Sequence, residues 1–354
     1  MPLSAQSDIA APSTSGSGSQ LAALLRGTGI SPLDQVGWIR VTGEDRVRWL
    51  NGMVTNSIQQ LHPGEGNYNF ILNVQGRIQG DATIFASSDA LLMQTASAQV
   101  PNLMMFLDRF IIMDDVELSD VTSDRSGVLI AGPQAASLLA KIGLNVEDLE
   151  TLQMRPALWN NASVGVFHLR GPLVPRFELW ADPEIIPKLT AALQTAGAVP
   201  CEAQSLEWLR ILEGTPVYGT DIRDRELPQE TGQTRALHFA KGCYLGQEIV
   251  ERIRSRGNVH RSFGAFRLDG ELTAAGSQLE ADGKAIGELT SVAAIPLPGD
   301  DRKIIQLGLG YVRREAVDRG ATLRYAGGVA IPTPLPFPVA APSSRPTASE
   351  SERV

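Results

Sequence analysis

Lys241-Gly-Cys-Tyr-Leu-Gly-Gln-Glu248 brings a thiol, an ammonium group and two glycines into one short stretch. Leu245, Ile249, Val250 and Ile253 follow at helical spacing, and Gly257 supplies a stop. The octamer therefore reads as a glycine-hinged loop that feeds a helix amino terminus. In that position backbone amides and the positive helix end, with Lys241 close by, favour the thiolate of Cys243. Gly242 and Gly246 permit a ligand to approach the backbone. Glu248 and Arg252 stand four apart in the order that suits an exposed ion pair. Spacing supports a plainer reading too: a lone cysteine packs as a small hydrophobe, and the glycines punctuate a loop. Nucleophilic catalysis by Cys243 would need a histidine base; His238 is near in sequence but has no evident orienting group.

Three further groups are candidates for chemistry. Asp81 falls on the polar face of a hairpin arm, where it is either a working carboxylate or a solvated strand residue. Glu230 sits between Pro228 and Gly232 in a turn-like stretch that would also expose an ordinary turn carboxylate. Arg252, Arg254, Arg256 and Arg261 cluster beside the octamer, as an anion-binding group or as a wet helix face. Trp49 and Phe110 read as core aromatics, and His260 as structural or exposed. The two cysteines, Cys201 and Cys243, are too few and too far apart for a disulfide framework or a zinc site, so no metal is expected. A reducing cytoplasm is the simplest compartment.

The elements that carry these groups alternate short strands with short helices. Gly37–Gly43 reads as a strand leading into a helical turn over 44–50. Segments 69–73 and 78–85 read as a hairpin in which Ile78, Gly80, Ala82 and Ile84 share one face and Asp81 takes the other. Pro101–Phe110 reads as a helix with Leu103, Phe106, Leu107 and Phe110 on one stripe. Strand Gly127–Ala131, helix Gln134–Ile142, strands Gly165–Arg170 and Arg176–Trp180, and helix Glu184–Ala196 follow. Beyond Arg261, short β-rich segments separated by Gly, Asp and Pro predict a small separate β-barrel. The class is α+β with antiparallel pairing.

With 354 residues the chain can bury two or three cores, and a net charge of −8 argues against general nucleic-acid binding. No run approaches the length of a membrane span, and residues 1–20 lack the features of a secretory signal. The Ser/Gly-rich residues 1–20 and Pro/Ser-rich residues 332–354 are expected to be disordered tails. The ordered parts are then 21–260 and a barrel over 261–331.

The octamer matches the KGCYxGQE signature of the YgfZ family, whose mitochondrial relatives assist late iron–sulfur cluster assembly. Other landmarks resemble that family in order: Val41-Thr-Gly-Glu-Asp45 with Trp49-Leu-Asn-Gly52 and Thr55-Asn56; Gly76-Arg77-Ile78 with Asp81; Asp108-Arg109-Phe110 with Val116; Leu209-Arg210-Ile211 with Gly214 and Pro216; Leu227-Pro228-Gln229-Glu230; then Gly287, Thr290-Ser291 and Leu309-Gly310-Tyr311-Val312. The resemblance spans roughly residues 30–330. It implies a three-lobed body of the glycine-cleavage T-protein type, its first two lobes interleaved, with tetrahydrofolate or a derivative in a central hole. It also implies iron–sulfur client or assembly proteins as partners, links to tRNA modification, and Cys243 as a family-defining residue. Folate contacts are expected from Asp81, Glu213, Glu230, Lys241, Tyr244 and Arg252, with Cys243 and Asp81 as the reactive groups. The chain departs from T-proteins where their LRLEAG element carries glutamate: Leu212 stands there, with Glu213 next to it. An aminomethyltransferase is the alternative activity, with Asp81 as its acid.

Overall fold

The computed structural model describes residues 14–257, 259–299 and 304–339. An amino-terminal sheet has five antiparallel strands in the order Gly66–Leu72, Ile78–Ala86, Leu91–Ala96, Val36–Thr42 and Glu117–Asp120. Strand alternation turns Ala82 and Ile84 into a core with Ile39, Val41 and Met93. Helices Arg46–Met53 and Val100–Asp108 close that core with Trp49, Leu50, Leu103 and Leu107. Gly80 is required by this packing, because a Cβ there would lie 2.6 Å from a Leu103 methyl carbon.

The second sheet has six strands, ordered Val199–Pro200, Gly29–Pro32, Ser126–Ala131, Arg176–Ala181, Ala162–Leu169 and Gln153–Trp159. Its Gly29–Pro32 strand comes from the start of the chain and pairs antiparallel with Ser126–Ala131, so the first two lobes are threaded through one another. Helices Ala135–Lys141 and Ile186–Thr195 cover one face. The opposite face meets the amino-terminal sheet through Trp38, Phe85, Phe167 and Trp180, with Trp38 and Trp180 edge-on at 5.3 Å. Such aromatic pairs add to the area they bury.

The third lobe is a closed six-stranded barrel in the order Arg261–Gly270, Ile304–Arg313, Lys284–Pro296, Gln278–Ala281, Leu323–Tyr325 and Gly328–Thr333. Closure removes the open edges that short strands leave. Helix Ala203–Glu213 and an amino-terminal helix fill the space between barrel and second sheet.

Both expected tails need correction. Thr14–Arg26 is a helix, with Leu21 and Leu24 fully buried against the Ala203–Glu213 side of the core. Those two leucines give the preceding Ser/Gly-rich turns a docked element to extend; residues 1–13 lie outside the described residues. At the other end the last strand runs to Thr333, and the Phe337 N–H donates to the Leu212 carbonyl at 2.7 Å. Phe337 and Val339 pack on the same core, so the chain to residue 339 is held by apolar contact that composition alone does not register. Residues 340–354 lie outside the described residues.

Candidate functional site

The alternation that buries Ala82 and Ile84 sends Asp81 to the face looking toward the second sheet. Asp81 Oδ2 accepts from the Tyr68 hydroxyl at 2.6 Å, and Oδ1 accepts from Gln99 Nε2 at 2.9 Å. Its main chain is pinned as well: its N–H donates to Gln99 Oε1, and its carbonyl accepts from Thr95 Oγ1. Burial raises the Asp81 pKa above the ordinary carboxyl range, opposed by the Tyr68 and Gln99 hydrogen bonds. The Arg235 guanidinium lies 4.0 Å over the Tyr68 ring.

Glu178 comes from the facing sheet. Within Arg176–Ala181, Phe177 and Leu179 point into the helix-covered core, which leaves Arg176, Glu178 and Trp180 on the seam. Glu178 is 4% exposed, and its Oε2 accepts from Gln94 Nε2 at 2.5 Å and Trp180 Nε1 at 2.8 Å. Gln94 belongs to the amino-terminal sheet, so this bond stitches the two lobes. Burial raises the Glu178 pKa. Sequence reasoning passed over this residue; the available signal was one acidic position inside an apolar, alternating strand.

Two nearby polar atoms have unmet hydrogen-bonding capacity. Arg176 Nε and the Tyr311 hydroxyl are buried without a hydrogen-bond partner among the described residues. Tyr311 presents its ring to the Arg261 guanidinium at 4.9 Å. Orphaned buried groups of this kind mark places where a ligand or solvent completes the bonding.

Three residues expected to hold a ligand are committed elsewhere. Glu213 is buried and paired with Arg176 at 3.0 Å, which ties helix Ala203–Glu213 to the second sheet. Glu230 accepts from both Arg261 Nε and Nη2 and from the Leu227 N–H, closing a short 3-10 turn against the barrel. Lys241 donates to three carbonyls, those of Asn51, Val54 and Asn56, at 2.6–2.7 Å. That uses every proton an ammonium has. Burial pulls its pKa down to about 7, while the three acceptors favour the charged form.

Tyr244 is likewise a core residue, packed with Tyr68, Phe70, Leu72 and Val250, and burial pushes its hydroxyl up to about 12. Arg252 is exposed, and among the described residues no ion pair joins it to Glu248. Its neighbour Arg254 pairs with Glu251 at 3.0 Å, Arg261 is occupied by Glu226 and Glu230, and the Arg256 side chain lies outside the described residues. Two of the four arginines, Arg254 and Arg261, are thus committed to separate ion pairs.

The octamer is indeed a loop before a helix, Gln247–Arg256, but Cys243 precedes the helix cap at Gly246. The thiol is exposed in a shallow depression of about 430 Å³ shared with Gly52, Met53, Val74, Tyr244 and Gly246. No hydrogen bond joins it to His238, whose Nδ1 is buried without a partner among the described residues. Cys201 is the packed cysteine, 5% exposed, with its thiol pushed up to about 11 by burial. Gly242 has open space where a Cβ would stand, so no packing contact among the described residues requires glycine there. Gly246 differs: at φ +81 a Cβ would meet the Asn73 carbonyl oxygen at 2.6 Å. Gly246→Ala is therefore expected to cost about 2–4 kcal/mol, from left-handed strain plus overpacking. A urea melt losing less than about 1 kcal/mol would contradict this contact.

Sequence motifs that look independent meet around Asp221, a second residue the sequence reading missed. It is fully buried; Oδ2 accepts from Arg210 Nη1 at 2.7 Å and the Val217 N–H, and Oδ1 accepts from the Thr290 and Ser291 hydroxyls. The helix and the barrel are clamped by one carboxylate.

Comparison with known proteins agrees with this geometry. The family model described as the GCVT N-terminal domain matches residues 11–241. The chain is 29% identical over 287 residues to an aminomethyltransferase of Streptomyces coelicolor, covering 77% of this chain and 76% of that one. An Arabidopsis thaliana protein with a chloroplastic name is 25% identical over 301 residues, covering 84% and 68%. The solved aminomethyltransferase T of the Bartonella henselae glycine cleavage system superposes with a TM-score of 0.80 at 18% identity, covering 91% and 89%. No helix among the described residues is long and apolar enough to cross a membrane. With a lobe-threaded α+β body, a closed carboxy-terminal barrel and a family match over most of its length, the chain belongs to the GCVT N-terminal domain family.

Proposed function

We propose that this protein binds a reduced folate, tetrahydrofolate or a derivative, in the seam between its two sheets and transfers an aminomethyl-type one-carbon unit there. The observation that carries the reading is Asp81, a half-buried carboxyl with a raised pKa, on the same sheet as Gln94, which hydrogen-bonds the buried carboxyl of Glu178 across the seam. A pterin offers a carbonyl acceptor beside two donors, N3–H and the 2-amino group. Arg176 Nε is a donor with no hydrogen-bond partner among the described residues, and Glu178 stands two residues along on the same strand face. Among the described residues both donors to the Glu178 carboxylate, Gln94 and Trp180, use Oε2, which would leave Oε1 for a ligand. Glu178 thus takes the recognition role first expected of Glu213 and Glu230.

Bound tetrahydrofolate would supply the nucleophilic nitrogen. With the aminomethyl group carried on a lipoyl thiol, a folate nitrogen would bond to the methylene carbon as its C–N bond breaks. Asp81 would give its proton to the departing ammonia and recover one from the attacking folate N–H, and the second folate N–H proton would pass to the carrier thiol as the C–S bond breaks. Tyr68 and Gln99 would then stabilise the resulting carboxylate, since both already donate to it. Direct titration with tetrahydrofolate tests this reading. Saturable binding is expected, weakened about tenfold or more by Glu178→Gln, the scale of a hydrogen bond to a buried charge. Wild-type protein that does not bind would overturn it.

One observation favours a second reading. Cys243 is exposed in a shallow surface depression, which suits a partner-facing thiol in a YgfZ-type factor serving iron–sulfur enzymes in a reducing cytoplasm. In cells lacking the gene, wild-type protein would restore cluster-enzyme activity under oxidative stress and Cys243→Ala would not. Equal restoration by both would remove the thiol from that role.

A further inference from the structure

Lys241 is the first residue of the octamer, and its ammonium group is bonded to the backbone of the amino-terminal lobe while it lies 5.0 Å over the Tyr244 ring. Its three acceptors are the carbonyls of Asn51, in the last turn of helix Arg46–Met53, and of Val54 and Asn56 just beyond it. Helix carboxy-terminal carbonyls lack intrahelical partners and carry partial negative charge, so a cation there is favourable. A second strut runs parallel, where the Leu245 N–H donates to the Gly52 carbonyl at 2.9 Å.

The turn that Lys241 holds also holds the carboxyl site. Asn56 Nδ2 donates to the carbonyls of Tyr68 at 3.2 Å and Arg235 at 2.9 Å. Next to it Thr55 Oγ1 accepts from the Phe70 N–H and donates to the Ala236 carbonyl. Tyr68 and Arg235 are the two residues stacked beside Asp81, and the Tyr68 hydroxyl donates to it. Three hydrogen bonds, joined through the covalent frames of Asn56 and Tyr68, therefore link Lys241 to Asp81. On the outer side of the same turn, Gly52 and Met53 form one wall of the depression that contains Cys243.

We infer that Lys241 is a positioning residue for the Asp81 centre, acting through the Asn51–Asn56 turn, and that the exposure of Cys243 is linked to occupancy of that centre. This inference rests on the folate reading for its ligand, but the contacts it uses are independent of that reading. Lys241 is then a clasp between the octamer and the seam, and not the activator of the neighbouring thiol. Because the turn is shared, a ligand that orders Tyr68 also orders the wall of the depression, and linkage requires the effect to run both ways.

The experiment has two arms on the full-length protein. In the first, tetrahydrofolate dissociation constants are measured for wild type, Lys241→Met and Lys241→Arg, with circular dichroism and melting to establish folding. Lys241→Met is expected to weaken binding about tenfold, from loss of hydrogen bonds made by a charged donor. Lys241→Arg should recover part of that loss, because it restores a cation with several donors; a purely space-filling role predicts no such difference between the two. In the second arm, which needs no variant, iodoacetamide alkylation of Cys243 is timed in wild-type protein with and without saturating tetrahydrofolate. A several-fold slower rate with ligand is expected. Folded Lys241→Met that binds as tightly as wild type, or an alkylation rate indifferent to bound ligand, would overturn the inference. If wild type does not bind tetrahydrofolate, the folate reading fails, and the clasp is judged by Cys243 alkylation alone. That rate should rise in Lys241→Met, and an unchanged rate refutes the clasp.

Discussion

Asp81→Asn is expected to lower aminomethyl transfer to tetrahydrofolate by about 10²–10⁴-fold, the range supplied by a positioned acid or base. Its effect on tetrahydrofolate affinity should be small, because an amide keeps the shape of the carboxyl and the Tyr68 hydroxyl can turn to accept from it. The same substitution should not destabilise the fold at neutral pH. Burial raises the Asp81 pKa, so the folded protein keeps that proton where the unfolded chain, at the ordinary carboxyl value, has already lost it. Ionising Asp81 therefore costs stability as pH climbs from the unfolded value of about 4 through the raised one. The Asn variant avoids that cost. Its melting temperature should equal or exceed that of wild type at pH 7, and the advantage should shrink below about pH 4 as both proteins become neutral there. Quantifying transfer from an aminomethyl-lipoyl carrier, alongside melts at the two pH values, checks both halves. Unchanged transfer would take Asp81 out of the chemistry; a large loss of stability at pH 7 would mean that its role is architectural.

Asp221→Ala should have the largest effect on stability, about 3–5 kcal/mol, the cost of removing one partner from a buried ion pair. Four donors converge on this carboxylate from three segments, and Arg210 is itself largely buried. Without Asp221 the guanidinium keeps Glu207, which is partly exposed, while Thr290 loses its acidic partner at the barrel wall. A domain stabilised by only about 5–15 kcal/mol would lose a sizeable fraction of its margin. Urea unfolding of the variant is the measurement, and a shift under about 1 kcal/mol would show that the clamp is not what holds the helix to the barrel. Asp221→Asn, which keeps the shape and part of the bonding, should fall between the two.

Local pattern was enough to place much of the architecture. Alternation over Ile78–Ala86 assigned Asp81 to the face opposite Ala82 and Ile84, and helical spacing after Leu245 located the helix at Gln247–Arg256. Repeated short strands with Gly and Pro punctuation beyond Arg261 were enough for a barrel. These features depend on neighbours two to four residues apart, the range over which strand and helix periodicity acts.

Which charged groups remain free was decided by partners far along the chain. Glu213 is taken by Arg176, 37 residues away, and Glu230 by Arg261, 31 residues away. Lys241 is taken by a carbonyl 190 residues distant. Glu178 gained its candidate role because Gln94, 84 residues upstream, meets it across two sheets that only the tertiary fold brings together. The linear order of residues determined the loops, the strand faces and the barrel; folding determined how the first two lobes thread through one another and which carboxylates were spent on ion pairs. The reason is physical: a buried charge must find a partner wherever the packed chain supplies one, and sequence proximity does not choose it.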